Sequence, residues 1–127
     1  ENEKMVYVTD TGYIKEEVKE YIRNADYYIF ESNHDIEMLM QTSRPIYLKQ
    51  RIIGDNGHLC NEDSANILTD VMGQNTKEII LAHISQEGNT REMALDTLKQ
   101  TLHKKQKDRE GLKLHSAEQF GIYIGGK

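Results

Sequence analysis

Three short apolar runs of this chain each lead, within two residues, into a side chain that can bind a metal ion or transfer a proton. Carboxylates and imidazoles are groups that proteins use for both tasks. In an open α/β sheet, ligands bind just outside the carboxyl ends of the strands, so side chains placed there from different strands converge on one crevice. The three are Asp10 after residues 5–8, Glu31 after residues 27–30 and His83 after residues 79–82.

Asp10 and His83 are suited to binding a divalent metal ion. Gly12 permits a tight turn after Asp10, so that the carboxylate can face a crevice and bind or bridge cations. A neutral imidazole at position 83 can ligate zinc or manganese through one ring nitrogen. Each residue also has a structural interpretation, since Asp10 can accept backbone hydrogen bonds in a turn and His83 can be a half-buried histidine. Their occurrence at two strand ends favours a metal site.

His58 lies in a glycine-flanked loop and forms a second candidate pair with Glu31. A carboxylate that is hydrogen-bonded to an imidazole raises its basicity and fixes its tautomer for proton transfer. The sequence alone does not place the two in contact. We therefore predict Glu31 and His58 as acid/base residues whose pairing the fold must supply.

Other polar and sulfur-containing residues have plainer interpretations. The cluster of Asn33, His34 and Asp35 is typical of a helix N-cap. For Arg44, Lys49 and Arg51 we predict a solvated helix surface rather than a phosphate site. Residues 38–40 are predicted to pack in the core. His103 and His115 are predicted to lie at the periphery of the fold.

The order of elements predicts an α/β fold, a layered sheet with covering helices. The predicted strands are residues 5–8, 27–30, 79–82, 112–115 and 121–124. Three predicted helices cover residues 14–25, 36–41 and 46–53. Two more helices are predicted, one with Asn61 or Asp63 as its N-cap and one that begins with a capping box of Asn89 and Glu92. Ile14, Val18, Tyr21, Ile22 and Ala25 are predicted to form one buried stripe, and Gly73 a left-handed helix stop.

Composition limits the class of protein without choosing a substrate. The 127 residues fit one domain, and a net charge of −5 argues against a uniformly basic nucleic-acid surface. The single cysteine, Cys60, excludes an internal disulfide framework and is predicted to be a small packing residue. No apolar stretch approaches the ~20 residues of a membrane helix, so we expect a soluble, cytoplasmic protein without membrane contact.

Several polar motifs occur in a fixed order along the chain: residues 9–12, 31–35, 57–62 and 81–85, followed by Asn89 and Thr90. Their order and spacing resemble the C-terminal half of metallo-β-lactamase-fold hydrolases, and most closely the WalJ/YycJ-like branch of that family. The resemblance spans residues 6–98 and is therefore more specific than any single motif.

The resemblance implies roles for four residues. Asp10 corresponds to a metal-bridging aspartate and His83 to the last metal-binding histidine of a centre with two divalent ions, zinc or manganese. His58 corresponds to a histidine near the scissile phosphate that gives a proton to the leaving oxygen, with Glu31 as its partner. The implied activity is that of a nuclease or phosphodiesterase on DNA, RNA or another phosphodiester.

One departure from the family pattern is large. The principal metal motif of the family, His-X-His-X-Asp-His, does not occur in the 127 residues. Two protein ligands are too few for a catalytic metal pair, since even a single catalytic zinc takes three. We therefore expect residues 1–127 to be the C-terminal half of an αββα domain, inactive and without bound metal when alone. The N-terminal half would be its partner, and the surface left open would favour self-association.

Two alternatives remain open at this stage. The chain could be a complete small α/β binding or signalling module in which Asp10 is a lone acid, or a non-catalytic interaction domain that keeps the motifs as structural caps. A separation of more than about 10 Å between the Asp10 carboxylate and the His83 ring would exclude a shared metal centre, because metal–ligand bonds are ~2 Å long.

Overall fold

The computed structural model describes residues 3–54 and 57–117. Strands and helices alternate along the chain, which confirms the predicted α/β class. The elements are β1 (Met5–Val8), α1 (Glu16–Ile22), β2 (Tyr27–Glu31), α2 (Ile36–Met40), α3 (Ile46–Ile53), α4 (Asn61–Val71), β3 (Glu78–Ala82), α5 (Arg91–Lys104) and β4 (Lys113–Ser116).

The four strands form one parallel sheet in the order β1-β2-β3-β4. Tyr28 is aligned with Val6 on one side and with Ile79 on the other, and Ile79 is aligned with Leu114. Because all strands run in the same direction, the residues that follow them lie at a single edge of the sheet. This edge is where the candidate site residues are found.

One face of the sheet carries the hydrophobic core. Helices α1, α4 and α5 pack on this face, and Tyr28, at the centre, is fully buried. The Tyr28 hydroxyl donates a hydrogen bond to the carbonyl of Ile22 at 2.6 Å, so its polar end is satisfied within the core. The buried strand residues on this face are Val6, Tyr28, Phe30, Ile79 and Leu81.

The opposite face of the sheet is apolar and open in the described part of the chain. Met5 is 64% exposed and Tyr7 67% exposed, and the residues aligned with them on β2, Tyr27 and Ile29, are half-buried. Ile80, aligned with Ile29, continues the patch onto β3. This set, Met5, Tyr7, Tyr27, Ile29 and Ile80, is called the open face below. Its exposure is unusual, because parallel sheets are normally covered on both faces.

The predicted buried stripe of the first helix is wrong at two positions. Ile14, Ile22 and Ala25 are buried, whereas Val18 is 41% exposed and Tyr21 81% exposed. The helix has only seven residues, and only Ile22 within it is buried. Ile14 and Ala25 reach the core from the flanking segments instead.

Two predicted helix caps are shifted by one or more residues. The N-cap of α4 is Cys60, whose Sγ accepts from the backbone N–H of Asp63, so neither Asn61 nor Asp63 has that role. The N-cap of α5 is Thr90, whose hydroxyl accepts from the N–H of Met93, which replaces the predicted Asn89–Glu92 box. The cause lies in the tertiary structure, because the Asn61 and Asn89 side chains bond to each other.

Gly73 is not a left-handed helix stop. Met72, the C-cap of α4, has an extended backbone, and Gly73 is not among the residues with positive φ. A Cβ atom at position 73 would lie 2.3 Å from Oδ1 of Asn24 and 2.7 Å from Oδ1 of Asn75. A side chain at position 73 would therefore displace the amide ends of Asn24 and Asn75.

The remaining sequence predictions have mixed outcomes. Pro45 directly precedes α3 as predicted, and Cys60 is buried and free. Of residues 38–40 only Leu39 is buried, and Lys49 is buried as well, with its Nζ donating to the carbonyl of Met40 at 2.7 Å. The predicted strand over 112–115 is found as β4, one residue later, while the one over 121–124 lies outside the described residues.

Among residues 3–54 and 57–117, no helix has both the length and the apolar character that crossing a membrane requires.

Candidate active site

The four side chains singled out in the sequence converge at the carboxyl edge of the sheet. Asp10 lies two residues after β1, Glu31 is the last residue of β2, and His83 directly follows β3. His58 reaches the same place from the loop before α4. Each of the four offers one potential ligand atom, and these atoms all lie within 4.8 Å of one another. The fold thus brings together residues from four separate segments.

Glu31 is the centre of this cluster. Its side chain is fully buried, and Oε2 lies 2.6 Å from Nδ1 of His58 and 3.1 Å from Nδ1 of His83. The second oxygen, Oε1, accepts the backbone N–H of Asp10. A buried carboxylate is costly unless its oxygens are paired, and here both of them are. Glu31 therefore links the other three residues and fixes Nδ1 of both imidazoles.

Asp10 and His83 face each other across the site. Oδ1 of Asp10 lies 3.6 Å from Nε2 of His83, which is longer than a normal hydrogen bond. Two atoms that bind the same tetrahedral ion at ~2.0–2.1 Å are roughly 3.3 Å apart, close to this separation. The Asp10 side chain is 70% exposed and that of His83 39% exposed, so both are accessible from solvent.

His58 lies in a loop that is hydrogen-bonded to helix α3. The backbone N–H of His58 donates to the carbonyl of Ile52 at 2.9 Å. A Cβ atom on Gly57 would lie 2.3 Å from the carbonyl oxygens of Arg51 and Ile52, so only glycine allows this approach. The His58 ring is half-buried, with its centroid 5.1 Å from that of His83.

A buried polar network beneath the site was missed by sequence reasoning. Ser32, Asn61 and Asn89 are each at most 2% exposed. The two amides bond reciprocally at 2.8 Å, and Oδ1 of Asn61 also accepts from the Ser32 hydroxyl at 2.6 Å. These residues lie one, three and six positions after Glu31, His58 and His83, respectively, so the network connects the three segments that carry the site. That recurrence of small polar residues after each site residue was the available signal.

Asn33 adds a further connection between the same segments. Its side-chain amide donates to the carbonyl of His83 at 2.8 Å, its backbone N–H donates to Leu59, and its carbonyl accepts from the N–H of Ser85. The loop after β2 is therefore hydrogen-bonded both to the segment that carries His58 and to the segment that carries His83.

The other histidines are not part of the four-residue cluster. His34 is 1% exposed, and burial, together with the nearby His58, lowers its pKa to about 4. Asp35 accepts from the N–H of Met38 and caps α2, as predicted. His103 is an exposed residue near the end of α5, where it pairs with Asp108, and His115 lies on β4, with Nε2 3.4 Å from Oε2 of Glu78.

The donor set is chemically suited to a divalent metal ion. Two imidazoles and two carboxylates from separate segments meet, and zinc and manganese both accept nitrogen and oxygen ligands of these types. Glu31 is already bonded to both imidazoles and to the backbone of Asp10, which leaves Asp10 and His83 as the more accessible donors. The predicted pair of metal ligands is thus brought together by the fold.

The fold is that of the metallo-β-lactamase class of proteins. Within that class the chain belongs to the WalJ/YycJ branch. It is 44% identical over 104 residues to exodeoxyribonuclease YycJ of Bacillus anthracis, covering 82% of this chain and 39% of that protein. It is 43% identical over 98 residues to exodeoxyribonuclease WalJ of Streptococcus pneumoniae strain D39, covering 77% of this chain and 36% of that protein.

The structural comparison agrees with this fold. A crystal structure described as a new diphosphatase from the PhnP family superposes with a TM-score of 0.53 at 16% sequence identity, covering 98% of this chain and 36% of the other. No family model matches the sequence. The chain spans well under half of the length of each relative and structure named above.

Proposed function

We propose that this chain is the C-terminal part of a metal-dependent phosphodiesterase that hydrolyses DNA. The observation that carries the proposal is the convergence of Asp10, Glu31, His58 and His83 within 4.8 Å. Two relatives that match over about four fifths of the chain are named exodeoxyribonucleases. A DNA substrate and the free thiol of Cys60 also support a cytoplasmic location.

Asp10 and His83 hold the metal ions in this proposal, with further ligands supplied by the rest of the polypeptide. Bound zinc or manganese ions would activate a water molecule and neutralise charge on the phosphate. Two ions are proposed because Asp10 has two carboxylate oxygens and is exposed enough to bridge them. The described residues alone supply too few accessible ligands for such a centre.

Glu31 and His58 together transfer a proton to the leaving group in this proposal. Nδ1 of His58 faces Oε2 of Glu31 at 2.6 Å, so Nε2 is the nitrogen that is free to meet a substrate. His58 also lines an open cavity, from which a substrate could approach its side chain. Glu31 orients the ring and stabilises its protonated form, and His58 donates the proton to the departing group.

The open face is proposed to contact the missing part of the domain. Five apolar residues of β1–β3 are exposed or half-buried there, while the other face of the sheet is packed against helices. The relatives are more than twice as long as the matched region, which is ample chain to build a second layer. Residues 1–127 would then be half of an αββα domain, inactive when alone.

The experiment uses the full-length parent protein. We expect hydrolysis of DNA that depends on zinc or manganese, and loss of both activity and bound metal in Asp10→Ala and His83→Ala. His58→Ala should slow turnover by about 10²–10⁴-fold, the usual contribution of acid/base catalysis, with metal content retained. His103→Ala, which changes an exposed histidine of α5 that is not part of the cluster, is the matched control.

Two results would overturn the proposal. A parent protein that hydrolyses neither DNA, RNA nor small phosphodiesters with any divalent ion is not a phosphodiesterase. Equal loss of metal in His58→Ala and His83→Ala would contradict the separate roles of the two imidazoles. Activity on RNA in place of DNA would agree with the proposed phosphodiesterase reaction and contradict the proposed DNA substrate.

A further inference from the structure

A cavity of about 330 Å³ opens beside the catalytic cluster. It is lined by His58 and His83, and the segment before α3 and the loop after β3 contribute Arg44, Ser85 and Glu87. Its volume lies at the lower end of the range for small-molecule sites, a size suited to about one nucleotide unit.

Arg44 is the one lysine or arginine among the residues that line this cavity in the described ranges. Its Nη2 and Nε lie 2.7 and 2.9 Å from the same oxygen, Oε1 of Glu87. The Arg44 side chain is 29% exposed and that of Glu87 59% exposed. The pair is therefore in contact with solvent, where an ion pair is weak enough to be exchanged for another anion.

The lining supplies further hydrogen-bond groups. The Ser85 hydroxyl oxygen accepts from the N–H of Gly88 at 3.0 Å, which leaves its hydrogen to be donated. The Asn33 amide is already bonded to the carbonyl of His83. A guanidinium and a hydroxyl next to the proposed proton donor form an arrangement that suits a phosphate group, because arginine binds phosphate with two parallel hydrogen bonds.

We propose that this cavity binds the nucleotide adjacent to the scissile phosphodiester of a DNA strand, with Arg44 pairing with the phosphate of that nucleotide in exchange for Glu87. The inference rests on the proposed phosphodiesterase function. Glu87 keeps Arg44 oriented over the cavity in the free protein and competes with the substrate phosphate. Arg44 is thus a residue that recognises a strand rather than an isolated phosphodiester, since the contact needs a second phosphate.

The test compares two substrates of the full-length parent, a single-stranded DNA oligonucleotide and bis(p-nitrophenyl) phosphate, which has only one phosphate. Arg44→Ala should raise KM for the oligonucleotide about tenfold and leave kcat and the small diester unchanged. The plot of log KM against log salt should become less steep by about 0.7, the value for one lost contact to a single strand. Glu87→Gln should lower KM for the oligonucleotide because the competing charge is removed.

Lys99→Ala is the matched control, because Lys99 is an exposed cation on α5, outside the cavity lining. Its KM and salt dependence should equal those of the unmodified parent. Turnover of the small diester shows that each variant is folded, and if Arg44→Ala does not fold, Glu87→Gln alone decides the question.

The outcomes separate the two proposals. A parent that cleaves neither substrate refutes the phosphodiesterase function itself. A parent that cleaves both, with unchanged oligonucleotide KM and salt dependence in Arg44→Ala, refutes only the nucleotide subsite. A rise in KM in Glu87→Gln would show that the ion pair has a structural role only, and would also refute the subsite.

Discussion

Asp10 and His83 share one unusual backbone conformation, with φ of 60° and 58°, although they follow different strands. This left-handed region is uncommon for residues other than glycine, with Asp and His among the better tolerated types. It turns the chain sharply after β1 and after β3, and Oδ1 and Nε2 end 3.6 Å apart. Asn24 and Gln106 have similar φ values outside the cluster, so the conformation orients the two side chains and is not by itself a mark of a functional site.

The first prediction concerns this strained conformation. Asp10→Val should reduce the free energy of unfolding by about 1–2 kcal/mol more than Asp10→Asn, because a β-branched side chain fits the left-handed region poorly and asparagine fits it well. Urea unfolding of both variants measures the difference. Asp10→Asn is the matched control, since it removes the same charge. Equal stabilities would show that the conformation at Asp10 is not maintained in solution.

The second prediction concerns the buried amide pair. Asn89→Ala removes a partner from Asn61 and from the carbonyl of Ser32, so it should lower the free energy of unfolding by about 2–3 kcal/mol. In the parent protein it should also lower kcat, because the three segments that carry the site lose their connection.

Ser64→Ala is the control for this prediction. The Ser64 hydroxyl is buried on α4 and has no hydrogen-bond partner among residues 3–54 and 57–117, so its removal should leave stability unchanged or slightly increased. A similar loss of stability in both variants would contradict a special role for the Asn61–Asn89 pair.

The third prediction is a pH dependence that arises from His34. Its pKa is lowered to about 4 in the folded chain, chiefly by burial, against an ordinary value of 6.5. The unfolded chain therefore binds the proton more readily between these two values, and the free energy of unfolding falls as the pH drops from about 6.5 to 4. The full loss is about 3 kcal/mol at 1.36 kcal/mol per pKa unit.

Urea unfolding of the chain and of His34→Asn between pH 4 and 7.5 measures this contribution. The difference between the two should be constant above pH 6.5 and should change in favour of the variant below it. An NMR titration of His34 with a midpoint near 6.5 would refute the expected depression of its pKa.

The fourth prediction concerns the open face. Because Met5 and Tyr7 are 64% and 67% exposed on an edge strand of the sheet, residues 1–127 should self-associate in solution. Tyr7→Lys should shift the chain toward the monomer, as measured by sedimentation velocity. Tyr21→Lys, which changes an even more exposed tyrosine on α1, should leave association unchanged. In the parent protein, Tyr7→Lys should instead be destabilising.

Local sequence patterns predicted the elements that carry the site. The apolar runs that end near Asp10, Glu31 and His83 form parallel strands, and the polar motifs have the order and spacing of the family. The burial of individual side chains, which depends on tertiary contacts, was less predictable. Val18 continues the apolar period of α1 yet is exposed, because periodicity shows which side of a helix is apolar and not how much of that side is covered.

The sequence by itself determined the α/β class, the family and the types of chemical group available, because these depend on local periodicity and on motif order. Only the tertiary structure decided which groups meet. Asn61 and Asn89 could each have capped a helix, and they pair with each other because two segments distant in sequence pack together. Likewise, Glu31 becomes the shared partner of His58 and His83 through the alignment of the strands and the packing of the loops, which residue types alone do not encode.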